Sequence, residues 1–95
     1  MGKENLHVVC YDVVDDRRRQ RVADVLKDFG ARVQKSVFEC VLDATRRRRL
    51  ENRLSRLIDK NTDSILIYAL CAACVDRKSS LGLAQTGMPE SVKIL

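Results

Sequence analysis

The sequence predicts an α+β domain in which a four-stranded antiparallel sheet carries two helices on one face. Three observations lead there. Apolar runs with the two-residue period of strands begin near residues 6, 31, 37 and 63, segments with the helical period follow the first and third of these, and 95 residues hold one such unit.

The first strand is expected over Leu6 to Val14, where β-branched residues are frequent and both alternating faces are largely apolar: Leu6, Val8, Cys10 and Val14 on one, Val9, Tyr11 and Val13 on the other. Asp15 and Asp16 offer an N-cap to a helix whose apolar stripe is Val22, Val25, Leu26 and Phe29, with Gly30 as its stop. From Ala31 to Asp43 the strand pattern returns, broken at Gln34, Lys35 and Ser36 as by a tight turn between two antiparallel strands, the second running Val37 to Leu42. Asp43 or Thr45 caps a second helix with apolar positions Leu50, Leu54, Leu57 and Ile58, and Lys60 to Thr62 closes it. Asp63 to Leu70 is the last strand, again apolar on both faces. Strand, helix, strand, strand, helix, strand is the order of the ferredoxin-like split βαβ arrangement. Residues 1–82 are read as this domain, and 83–95 as a tail whose strand-like end, Ser91 to Leu95, suits docking on a sheet edge, its own or a partner's.

At this length folding buries roughly 60 to 65% of the unfolded chain's surface, so a single core is thin. With both helices on one face, the other face of the sheet has no cover of its own, and the expected remedy is a twofold, sheet-to-sheet homodimer. The apolar run at Leu6 to Cys10 ends too early for a signal peptide or a membrane span, which points to a cytoplasmic protein with no membrane partner. Its four cysteines, Cys10, Cys40, Cys71 and Cys74, then read as reduced thiols, three of them within apolar runs and core-like.

The chain carries 18 Lys and Arg against 13 Asp and Glu, a formal charge of +5. Arginines are clumped at Arg17, Arg18, Arg19 and Arg21, and again at Arg46 to Arg49 with Arg53 and Arg56. Guanidinium forks suit phosphate, so the clumps favour a nucleic-acid partner; the plainer reading is solvated helix faces paired with Asp24, Asp28, Glu51 and Asp59. An RNA-recognition module of this topology would show aromatics on its third strand, but Val37 to Leu42 provides little for base stacking.

Asp12 stands out because it shares the Leu6, Val8, Cys10 face, so the strand aims a carboxylate at an apolar surface. If that face is a dimer interface with its axis nearby, the carboxylates of both chains converge and call for a divalent ion or a shared proton, and a hard cation such as magnesium could activate water against a phosphate. Alternatively Asp12 caps a loop or pairs with an arginine. His7, the single histidine, has no partners for a triad and reads as structural. Cys71 and Cys74 have redox or zinc spacing but nothing completes such a site, and neither a nucleophile elbow nor a glycine-rich phosphate loop is present.

The segments Val8 to Val13, Arg19 to Val22 with Leu26 and Gly30, Arg32 to Cys40, and Asp63 to Tyr68 resemble, in order and spacing, the Cas-two family, the small CRISPR-associated proteins of spacer acquisition. The stretch Arg32-Val33-Gln34-Lys35-Ser36-Val37-Phe38-Glu39 is the most distinctive. The resemblance implies a ferredoxin-like homodimer in which Asp12 of each chain faces the other and shares Mg2+ or another divalent cation such as Mn2+. It implies a metal-dependent endonuclease acting on RNA or duplex DNA, or alternatively a non-catalytic DNA-binding subunit bridging dimers of the Cas-one integrase. Carried over by position, Tyr11, Asp12, Arg19, Arg21, Arg32 and Phe38 fall on the activity-associated pattern, with Asp12 as metal ligand. Arg17, Arg18, Arg19, Arg77 and Lys78 fall where nucleic-acid backbone contacts are expected.

Overall fold

A computed structural model of the chain describes residues 3–71 together with 73, 75, 77, 79 and 81. Its elements run β1 (Asn5–Asp12), α1 (Asp16–Lys27), β2 (Gly30–Gln34), β3 (Val37–Leu42), α2 (Ala44–Ser55) and β4 (Ser64–Leu70). The sheet order is β2-β3-β1-β4 with every neighbouring pair antiparallel, the ferredoxin-like topology. The tail and its expected edge strand, with Cys74 and Lys78, lie outside the described residues.

Both helices start where the sequence offers a cap. Asp15 accepts from the Arg18 N–H at 2.9 Å and Asp43 from the Arg46 N–H at 2.8 Å, each relieving an orphan donor of a first turn. Their apolar stripes, Val22, Ala23 and Leu26 from α1 and Leu50 and Leu54 from α2, pack on one sheet face against Val9, Tyr11, Phe38, Cys40 and Leu42. Burial pushes the Cys40 thiol up to about 11, because no solvent is left to support a thiolate. His7 is also buried on this side, its Nδ1 2.9 Å from the Asn5 carbonyl oxygen, in a structural role.

Three local expectations are corrected. α2 ends at Ser55, so Leu57 and Ile58 sit beyond it, yet both still pack on the core as the chain turns towards β4. Gly30 opens β2 rather than stopping α1, and the need there is close approach: a Cβ would collide with the Glu39 carbonyl and lie 2.7 Å from Cys40 Sγ. On the helix-free face, which was expected to lack cover within one chain, Leu66 and Tyr68 of the edge strand β4 are 55% and 54% exposed. Among the described cysteines only Cys40 is buried; Cys10 is half-buried and Cys71 exposed.

Candidate active site at the end of the first strand

Alternation along β1 settles which residues can act together. His7, Val9 and Tyr11 face the helices and are buried, whereas Leu6, Val8, Cys10 and Asp12 belong to the helix-free face, where Leu6 is buried, Val8 and Cys10 half-buried and Asp12 exposed. Register adds neighbours to that face: Val41 and Leu70 beside Leu6, the buried Glu39 and Tyr68 beside Val8, and Val37 and Leu66 beside Cys10. Asp12 closes the row opposite Ser64 and is exposed. Among the described residues its carboxylate has no hydrogen bond or ion pair, so neither the loop-capping nor the arginine-pairing reading of Asp12 is realised.

The other residues assigned by resemblance are not gathered around that carboxylate. Tyr11 turns to the opposite side of the sheet, donates its hydroxyl to the Lys35 carbonyl at 3.3 Å, and lies 6.2 Å, centroid to centroid, from the fully buried Phe38 ring. The Arg32 guanidinium rests over Phe38 at 5.3 Å, so Tyr11, Phe38 and Arg32 form one stack on the helix side beside the β2–β3 turn. Arg19 folds back on the corner after β1: its Nε donates to the Val13 carbonyl at 3.1 Å, and a terminal nitrogen bonds Asp16 at 2.7 Å. Arg18 pairs with Asp63, Nε to Oδ2 at 2.9 Å. Arg17, Arg21 and Arg77 are exposed, and no ion pair is formed by them among the described residues. A groove of about 370 Å3 between α2 and β4, lined by Leu54, Ile58, Ile65 and Ile67, opens on the helix side and is not shared with Asp12.

Asp63 is the residue that sequence reasoning passed over. Its side chain is fully buried, and the Arg18 guanidinium, with the backbone N–H groups of Asp59 and Val14, holds its carboxyl well below the usual carboxylate range despite burial. Its one sequence signal was an acidic residue directly before an apolar strand, which does not distinguish a buried ion from a loop residue. In α2, Arg46 and Arg53 stack on the Phe29 ring at 5.5 and 5.6 Å, Arg47 pairs with Glu51, and Arg48, Arg49 and Arg56 are left exposed.

Among the described residues no group of three or more His, Cys, Asp or Glu could hold a metal ion. A single exposed carboxylate nevertheless fits half of a magnesium site, since Mg2+ retains several waters and takes one or two carboxylates with phosphate oxygens. No helix among the described residues is long and apolar enough to cross a membrane.

Residues 5–78 match the family described as CRISPR associated protein Cas2. The chain is 45% identical over 84 residues to a CRISPR-associated endoribonuclease Cas2 of Rhodospirillum rubrum, covering 86% of this chain and 68% of the relative. Among solved structures it resembles Streptococcus pyogenes Cas2, with a TM-score of 0.74 and 36% identity over 81% of this chain and 99% of that one. It also resembles a chain of a partial Cas6-RT-Cas1–Cas2 complex, with a TM-score of 0.67 and 29% identity over 78% of this chain and 87% of that one. A family match spanning most of the ferredoxin-like domain, together with this identity, makes the chain a member of the Cas2 family.

Proposed function

We propose that this chain acts as a homodimeric, metal-dependent endonuclease in CRISPR adaptation, with Asp12 of each copy converging on one divalent cation. The observation that carries the reading is the Asp12 carboxylate, unpaired among the described residues, at the end of a sheet face that is largely apolar, with Glu39 and Leu6 buried on it and Leu66, Tyr68 and Val41 exposed. A second copy seated on that face would bury those side chains and bring the two strand ends together. The relative named as an endoribonuclease supports the reaction class.

When bound there, a cation such as Mg2+ or Mn2+ supplies Lewis acidity towards a phosphate oxygen and makes a water more acidic. The chain's own residues do the rest. Asp12 supplies negative charge and an oxygen donor. Cys10, two residues back on the same face, and Leu66, the cross-strand partner of Cys10, place apolar surface on one side of the carboxylate. Arg17 and Arg21, exposed and without an ion pair among the described residues, hold phosphates of RNA or duplex DNA by charge without reading bases.

The test is wild type beside Asp12→Ala, with RNA and with duplex DNA, with and without magnesium. Cleavage should fall at least a hundredfold in the variant or under chelation, while the dimer and its melting temperature persist. Cleavage that survives either change rules the catalytic reading out.

A second reading, a DNA-holding subunit that bridges Cas1 integrase dimers, is favoured by the similarity to a chain of the Cas1–Cas2 complex and by the exposed cations Arg17, Arg21, Arg48, Arg49, Arg56 and Arg77. On that reading binding weakens steeply with salt, and Asp12→Ala leaves spacer integration intact.

A further inference from the structure

We infer that Asp63, with Arg18, is a positioning residue for Asp12: its carboxylate holds the backbone corner that follows Asp12 and so sets the direction in which the Asp12 side chain leaves the sheet. This rests on the reading of Asp12 as a metal ligand. The observation is the convergence of five donors on one carboxylate. Oδ1 accepts from the Val14 N–H at 3.2 Å, the Thr62 hydroxyl at 3.2 Å and a terminal Arg18 nitrogen at 3.3 Å. Oδ2 accepts from Arg18 Nε and the Asp59 N–H, both at 2.9 Å.

The location gives this knot its consequence. β3 pairs with β1 only as far as Cys10, followed by a bond from the Tyr11 N–H to the Ser36 carbonyl, so Asp12 is laddered on one side alone, to Ser64. A strand end held on one side frays readily. Asp63 adjoins that pairing residue and grips the Val14 N–H two residues beyond Asp12, while Arg19 takes the Val13 carbonyl at 3.1 Å and the Val14 carbonyl at 3.5 Å. Helix capping does not require this arrangement, because the Asp15 side chain already satisfies the Arg18 N–H. Two members of the basic run at residues 17–21 therefore act on the corner beneath the carboxylate, and Arg17 and Arg21 remain for solvent or phosphate.

The test uses Mn2+ alone as the probe, its binding to the full chain followed by electron paramagnetic resonance at neutral pH, well below each variant's melting temperature. Asp63→Asn and Arg18→Gln should each weaken Mn2+ binding roughly tenfold, as loss of a group supporting a metal ligand does. Arg18→Lys, which keeps the charge without the fork, should recover part of the loss. A buried α2 variant away from the corner, Leu54→Val, should lower the melting temperature without changing Mn2+ affinity.

Wild-type affinity in folded Asp63→Asn, or an equal loss in Leu54→Val, overturns the positioning role. If Asp63→Asn does not fold, Arg18→Gln, which leaves the carboxylate three other donors, decides by the same criterion. Asp12→Asn separates the two claims. Undiminished Mn2+ binding in that variant defeats the metal reading and the positioning role together; binding lost there but retained in folded Asp63→Asn and Arg18→Gln defeats the positioning role alone.

Discussion

The two sides of β1 carry similar side chains to different ends. On the helix side Val9, Tyr11 and Val13 are buried, and Tyr11 uses its hydroxyl to fasten the β2–β3 turn. On the other side Leu6 is buried, but Val8 and Cys10 are only half-buried, and the row ends on an exposed carboxylate. An apolar side chain is therefore not a core side chain until something covers it. The helices cover one face, and within the chain's described residues Leu66 and Tyr68 of the other remain open. The adjacent residues Tyr11 and Asp12, joined by one peptide bond, serve stability and chemistry separately because a strand turns them in opposite directions.

Charging the open face tests this contrast most severely. The double variant Leu66→Arg, Tyr68→Arg should weaken self-association roughly a thousandfold, since charges buried without partners cost about 3–5 kcal/mol, and leave the monomer folded; sedimentation equilibrium with circular dichroism reads both. A variant that stays dimeric would mean the two faces differ less than proposed. On the covered side, Phe38→Ala should cost about 3–5 kcal/mol in urea unfolding, as truncation of a fully buried ring typically does, and should loosen Arg32 with it.

Acid provides a third probe. The Asp63 carboxyl is held below its ordinary value in the folded chain, so its contribution to stability is fully present above the unfolded value of about 3.9 and is lost as pH falls through the folded one. Wild type should therefore lose thermal stability steeply below about pH 4. Asp63→Asn should start lower at neutral pH and show a flatter acid limb. The smallest effect expected is that of Tyr11→Phe, about 1 kcal/mol for one partly buried hydrogen bond, with cleavage retained because the hydroxyl points away from Asp12.

Much of the fold was legible because its causes are local. Asp15 and Asp43 cap helices through donors three residues on, and the two-residue period alone put Asp12 on the face of Leu6, Val8 and Cys10. The site was legible only in part. Arg18 and Arg19 sit in a basic run that reads as a phosphate surface, yet Arg18 meets Asp63 at a separation of 45 residues, and Arg19 bonds carbonyls before its own helix. Leu57 and Ile58 obey the helical period without being in the helix, because a turn can deliver apolar side chains to a core as well as a helix can.

Sequence by itself determined the element order, the caps, the alternation along β1 and the position of a carboxylate at its end, since each follows from covalent spacing and backbone geometry. Tertiary structure alone decided that Asp12 has no partner among the described residues while Asp63 is saturated, and that Tyr11, Phe38 and Arg32 stack away from the carboxylate. The physical reason is that burial and pairing depend on which distant segments fold beside a residue, and no local period encodes the Asp63 that closes on Arg18.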